Sequence, residues 1–180
     1  TLNALTIAED YSDTAANLAA AFAGITAGTH TGILTIDNAS TALLEELVTI
    51  NNVSIGTVVL GTNTIAENYS GSAANLESAF AGIANGTHQG TIEATDATTV
   101  AQANKFDAVS DGIVTATIDS TAENLANLTG TTGAYAITLT TDTAAATIAE
   151  LKAINAATTG AITLNALTIA EDYSDTAANL

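Results

Sequence analysis

Thr1–Leu18 reads TLNALTIAEDYSDTAANL, and Thr163–Leu180 reads the same eighteen residues again, 162 positions later. An identity of this length does not arise by chance. The chain therefore contains one full repeat, residues 1–162, and the start of the next identical repeat, residues 163–180. Internal repetition is typical of proteins in which similar units bury their apolar faces against one another.

A shorter duplication lies inside the long repeat. Thr6–Gly32 and Thr64–Gly90 are related by an offset of 58 residues, and 19 of their 27 positions are identical. Both segments contain a Tyr, an Ala-rich stretch and a GTH turn in the same places. One segment therefore arose by duplication of the other.

A weaker unit recurs along the chain: a short strand pattern, then Asn or Asp, then an Ala/Leu-rich helical pattern, then Gly. In Val114–Ile118, for example, aliphatic residues alternate with threonine, which predicts a strand with one buried and one polar face. The polar residues that end the strand patterns form a series with spacings of 23 to 34 residues, and they are predicted to make a structural ladder: Asn3, Asp37, Asn63, Asp96, Asp119, Asp142 and Asn165.

These units predict a repeat solenoid of parallel β structure. The expected architecture is β/α, similar to a leucine-rich repeat or a β-helix, with about six coils in each 162-residue repeat. Six strands stacked at the usual spacing would give an axial repeat of roughly 29 Å. Gly32, Gly56, Gly90, Gly112 and Gly160 are expected to make the turns between units.

Helical spacing follows most strand patterns. Ala15, Leu18 and Phe22 fall on one face, and the other helical stretches show the same periodicity. Ser120 and Glu123 are predicted to form a capping box at the start of one helix.

The composition excludes several classes of function. Two basic residues stand against 19 acidic ones, which gives a formal net charge of −17. Such a chain lacks the cations that nucleic acids and anionic membranes require. The sequence has no Cys, so no disulfide forms, and it shows no nucleophile elbow, phosphate loop or paired-histidine motif. We therefore predict that it is not an enzyme and has no catalytic residues.

The acidic side chains leave one cofactor open. Asp96, Asp119 and Asp142 would be consecutive members of the ladder, and their carboxylates are candidate ligands for Ca²⁺. The competing interpretation is that each ladder residue caps the next turn or helix through its side-chain oxygen. Capping is the favoured interpretation, and no other metal or cofactor is indicated.

Two equivalent pairs of ring-bearing residues come from the shorter duplication. His30 and His88 occupy matching GTHxG turns and are predicted to be surface turn residues. Tyr11 and Tyr69 also match, and we expect them to pack against a neighbouring unit.

Two stretches carry a family resemblance: IVTATIDSTAENLANLTG from Ile113 and AITLTTDTAAATIAELKAIN from Ala136. They resemble the "β-strand repeat" units of very long secreted bacterial surface and fibre proteins. The resemblance implies an extracellular or cell-surface location and a structural role in a filament or surface layer. The expected partner is the protein itself, with neighbouring repeats meeting end to end, and no membrane insertion is expected.

Other functions remain open at this point. One is an adhesin stalk, and another is a stalk that Ca²⁺ stiffens. A third is an ice-binding surface on the threonine face, formed by Thr115, Thr117, Thr138 and Thr140.

Overall fold

The computed structural model describes residues 7–130, 132–140 and 144–174. Its strands are β1 (Tyr11–Asp13), β2 (Leu34–Ile36), β3 (Val58–Val59), β4 (Tyr69–Gly71), β5 (Ile92–Ala97), β6 (Val114–Ser120), β7 (Ala134–Leu139) and β8 (Ile162–Thr163). Its helices are α1 (Ala15–Phe22), α2 (Leu44–Val53), α3 (Thr62–Ile65), α4 (Ala73–Ala79), α5 (Val100–Val109), α6 (Ala122–Leu125), α7 (Ile148–Ala157) and α8 (Ala166–Ala170).

The strands form two separate parallel sheets. One has the order β1-β2-β3, and the other has the order β4-β5-β6-β7-β8. The prediction of a solenoid with about six coils is therefore wrong. Among the described residues, the chain is a compact α/β fold with a three-stranded sheet, a five-stranded sheet and eight helices. The axial repeat of roughly 29 Å assumed one continuous six-stranded sheet and does not apply to this fold.

The division into two sheets comes from a strand that the sequence pattern does not reveal. After β3, the chain makes α3, then β4, then α4 before it reaches β5. β5 pairs with β4, with Tyr69 opposite Ile92, so β4 starts a new sheet. β4 reads YSG and β1 reads YSD, and neither contains the aliphatic alternation that predicts a strand.

The alternation in the longer strands is confirmed. In β6, Val114, Ala116 and Ile118 are buried, whereas Thr115 and Thr117 face solvent. β7 pairs with β6 in register and buries its aliphatic residues in the same way. The buried faces of the strands and helices form one hydrophobic core, so each apolar stripe is covered by its neighbours.

Six of the eight described helices occur where the periodicity predicts them, whereas it does not predict α3 and α8. The predicted capping box is wrong. Thr121, rather than Ser120, caps α6, and its hydroxyl accepts a hydrogen bond from the amide of Asn124. Capping boxes occur instead at Thr99 with Gln102 and at Thr147 with Glu150, where each side chain satisfies an amide that the helix leaves free.

The unit-closing glycines allow close approach of two backbone segments. A Cβ atom on Gly112 would overlap the carbonyl group of Gly90, and one on Gly56 would overlap the carbonyl oxygen of Gly32. Neither Gly56 nor Gly112 has a positive φ, so the left-handed conformation is not the reason for glycine here. These residues let successive turns lie in direct backbone contact.

Candidate functional site

The predicted ladder residues occupy several kinds of local site. The Asp37 carboxylate accepts a hydrogen bond from the amide of Ala39, and the Asp96 carboxylate accepts one from the amide of Ala73 at the start of α4. Asn165 caps α8 by accepting from the amide of Thr168 and also donates to the Thr140 carbonyl. Asn63 lies in α3 and donates to the carbonyl of Asn38. Asn3 and Asp142 lie outside the described residues.

The candidate calcium ligands Asp96 and Asp119 lie on adjacent strands. Asp119 is exposed, and the residue opposite it in β7 is Thr138. The pairing of β5 with β6 shifts between Glu93 and Ala97, next to Asp96. In the described part of the chain, no three His, Cys, Asp or Glu side chains are grouped so that they could hold a metal ion.

The threonines of the polar face do not form continuous ranks. Thr115 and Thr117 lie opposite Ala134 and Ala136 of β7, because the register shifts the threonines of the two strands relative to each other. Thr138 does lie opposite Thr163 in β8. The face therefore mixes threonine with alanine and aspartate.

The two histidines are buried, so the prediction that they are surface turn residues is wrong. Each imidazole lies in a cluster of rings: His30 contacts Tyr11 and Phe22, and His88 makes the matching contacts with its own cluster. The turn residue points inward because the Tyr and Phe rings supply an apolar site and a backbone carbonyl supplies a polar partner.

The burial of His88 favours the neutral form of its imidazole. Its Nε2 lies 2.9 Å from the carbonyl oxygen of Glu67, which can only accept, so Nε2 carries the proton. Its Nδ1 lies 3.1 Å from the hydroxyl of Ser110. Burial lowers the pKa of His88, although the Glu67 carbonyl opposes this effect.

Two helices from different parts of the repeat are joined by a buried side-chain amide. Asn51 of α2 donates through Nδ2 to the carbonyl of Ala79 at 2.6 Å, and its Oδ1 accepts from the amide of Gly82 at 2.9 Å. The Asn51 side chain is only 5% exposed, and Ala79 is fully buried. This bridge aligns the end of α4 on α2, and we call it the α2–α4 contact.

Tyr69 strengthens the α2–α4 contact. It is buried, and its hydroxyl donates to the carbonyl of Ala42 at 2.8 Å. Burial raises the pKa of its phenol, and the carboxylates of Glu67 and Glu46 add to this effect. The expectation that this tyrosine packs against a neighbouring unit is confirmed for Tyr69.

The same arrangement recurs at the end of the described chain. Tyr173 donates to the carbonyl of Ala146 at 2.5 Å, and the Ala146 amide donates to Thr168 just as the Ala42 amide donates to Thr64. Residues 146–174 match residues 42–70 at an offset of 104, with 13 of 29 positions identical. This weaker repeat is the sequence signal for the second arrangement, and the strand patterns alone do not reveal it.

Comparison of the chain with protein-family models, with curated proteins and with solved structures finds no match. None of the helices in the described segments is long and apolar enough to cross a membrane.

Proposed function

We propose that this chain is a structural component of an extracellular bacterial filament or surface layer, built from tandem copies of the 162-residue repeat. The observation that carries the proposal is the second copy of the opening stretch. Tyr173 corresponds to Tyr11 at an offset of 162. Its hydroxyl donates a hydrogen bond to the Ala146 carbonyl, as the Tyr69 hydroxyl does to the Ala42 carbonyl. This contact supports end-to-end packing of successive repeats.

Other properties support a mechanical role. The threonine-rich and acidic surface carries a net charge of −17, which keeps a long assembly soluble and limits lateral association. The resemblance of the strand–Asp–helix units to secreted bacterial fibre proteins points to the same role and to a cell-surface location. In this proposal the filament or layer consists of compact α/β repeats that meet end to end, rather than of one continuous solenoid.

Immunogold electron microscopy would test this function. Antibodies against the 180-residue chain are expected to label filaments or a regular layer on intact cells. Labelling that requires permeabilised cells, or that never coincides with an ordered assembly, would refute the proposal.

The calcium-stiffened stalk can be separated by a thermal melt in the presence and absence of a chelator. An ion that binds only the folded state raises the melting temperature. We expect the chelator to leave that temperature unchanged, because the described carboxylates form no cluster for an ion. A drop of several degrees would favour the stalk that Ca²⁺ stiffens.

A further inference from the structure

The α2–α4 contact has two halves, and the chain contains a second copy of each half. Residues 146–174, which include α7, repeat the α2 half at an offset of 104. Residues 6–32, which include α1, repeat the α4 half at an offset of 58. We propose that a second copy of this chain docks head to tail, with its α1 placed on α7 of the first copy as α4 is placed on α2.

In the described part of the chain, the α7 half is more exposed than the α2 half, although Tyr173 already lies against it. We call the surface formed by Leu151, Asn155, Ile162 and Leu164 the tail face, and these residues line an open groove of about 450 Å³. Every member of the tail face is more exposed than its counterpart in the α2–α4 contact. For example, Leu164 is 36% exposed, whereas the matching Leu60 is 5% exposed.

The α1 half is likewise more exposed than the α4 half. We call the surface formed by Tyr11, Ala21, Gly24 and Ile25 the head face. Ala21 is exposed and Ile25 is half-buried, whereas the matching Ala79 and Ile83 are buried. These differences are expected if the head face lacks the neighbour that covers α4.

Sequence identity makes the head face and the tail face complementary. Asn155 is exposed and is the counterpart of Asn51, and Ala21 is the counterpart of Ala79. In the docked pair, Asn155 Nδ2 donates to the carbonyl of Ala21, and Asn155 Oδ1 accepts from the amide of Gly24. The amide of Ile162 donates to the Gly24 carbonyl, as the Val58 amide donates to Gly82.

The glycine in the head face permits this fit. A Cβ atom on Gly82 would lie 2.7 Å from the Asn51 Oδ1, so no larger residue fits beside the bridging amide. Gly24 has a φ of +78° and nothing within 4 Å of a Cβ position in the single chain. Glycine can adopt both this conformation and that of Gly82, so docking requires no forbidden backbone geometry.

Among the described residues of the first copy, Tyr173 lines the same groove as the tail face. Ile169–Ser174 repeats Ile7–Ser12, so the second copy's Tyr11 takes the place of Tyr173 on the carbonyl of Ala146. The contacts that the second copy's residues 7–12 would make are the same as those that residues 169–174 of the first copy give up. The second copy then also buries its Ala21 and Ile25 against the tail face.

Docking of this kind is heterologous, because the head face and the tail face are different surfaces. Each chain therefore carries one head face and one tail face, and association continues unless one of these faces is blocked. This inference names the self-contact used in the proposed function and rests on that function for its biological setting.

Variants that block the head face or the tail face test the proposal. Sedimentation velocity over a range of protein and salt concentrations measures the size of the oligomers. Ala21→Gln blocks the head face, and Asn155→Glu blocks the tail face with a carboxylate that would meet the Ala21 carbonyl. The matched controls are Ala16→Gln on the solvent side of α1 and Ala156→Glu beside Asn155. Ala16 and Ala156 are exposed, as are their counterparts Ala74 and Asn52, so neither lies in the contact.

We expect the unmodified chain and both controls to form a concentration-dependent series of oligomers. Each blocked variant alone should stay monomeric, and an equimolar mixture of the two should stop at dimers. Monomers of the unmodified chain at every concentration would overturn the proposal, as would association that both blocking variants leave intact. Dimers in the mixture without filaments on cells would refute the proposed function but leave this contact established.

Discussion

The hydroxyl of Tyr69 donates a 2.8 Å hydrogen bond to the backbone carbonyl of Ala42, 27 residues earlier in the chain. The matching Tyr11 is half-buried and makes no such bond within the described residues. Two tyrosines from one duplicated segment thus have different surroundings, which provides an internal control.

Tyr69→Phe should lower the free energy of unfolding by about 1–2 kcal/mol, because it leaves the Ala42 carbonyl buried without its donor. Tyr11→Phe should change that free energy by less than about 0.5 kcal/mol, since no hydrogen bond is lost. Urea denaturation of both variants measures the difference. Equal losses would show that the hydroxyl of Tyr69 contributes nothing beyond the ring.

Asn51→Ala should be more damaging. It removes two hydrogen bonds to backbone groups of Ala79 and Gly82 and opens a small cavity, so we expect a loss of about 2–4 kcal/mol. The matched variant Asn155→Ala should leave the monomer's stability almost unchanged, because Asn155 is exposed. Thermal unfolding at low protein concentration compares the two, and a similar loss for both would contradict the difference in burial.

Ile137→Asp or Leu139→Asp should prevent folding. Both side chains are buried in β7, at 1% and 3% exposure, and an unpaired carboxylate there would cost about 4 kcal/mol or more. Ala136→Asp on the exposed face of the same strand serves as the control and should fold, because the residue opposite it in β6 is Thr117. Circular dichroism of the purified variants gives the readout, and native spectra for all three would refute the assignment of the buried face.

The stability of the fold should depend on pH through His88. Its folded pKa lies below the ordinary value of 6.5, so the unfolded chain binds more protons between these two values. The free energy of unfolding should therefore fall as the pH is lowered through about 6.5 and level off below the folded pKa. His88→Gln keeps a donor for the Glu67 carbonyl and should flatten this dependence.

Denaturation of the unmodified chain and of His88→Gln from about pH 7 to about pH 5 tests the assignment, because most carboxylates titrate below that range. NMR titration of the imidazole protons reads the pKa of His88 directly. A folded pKa at or above the ordinary value, or parallel pH curves for the two proteins, would contradict a buried neutral imidazole.

The longer helices and the longer strands could be predicted from the sequence because their periodicity is strong. The aliphatic residues of β6 and β7 alternate over five or more positions, and the apolar stripe of α1 has helical spacing. β1 and β4 could not be predicted in this way, since three residues such as YSD carry no period. Their strand geometry comes from pairing with Leu34–Ile36 and with Ile92–Ala94.

The candidate site also combines features that the sequence reveals with features that depend on the tertiary structure. That His30 and His88 are equivalent is visible in the sequence, but their burial is not, because it depends on Tyr and Phe rings brought in by β1, α1, β4 and α4. The Asn51 bridge likewise joins residues 28 and 31 positions apart. No local pattern marks such a contact.

The sequence by itself determined that the chain is repetitive, acidic and free of cysteine, and it determined which faces of its strands and helices are apolar. Those properties follow from residue identity and spacing alone. The tertiary structure decided that the strands divide into two sheets, that the histidines are buried and that the residues of the head and tail faces are more exposed than their counterparts in the α2–α4 contact. Each of these depends on which neighbour an element meets, and side-chain packing and backbone hydrogen bonding select that neighbour only when the whole chain is folded.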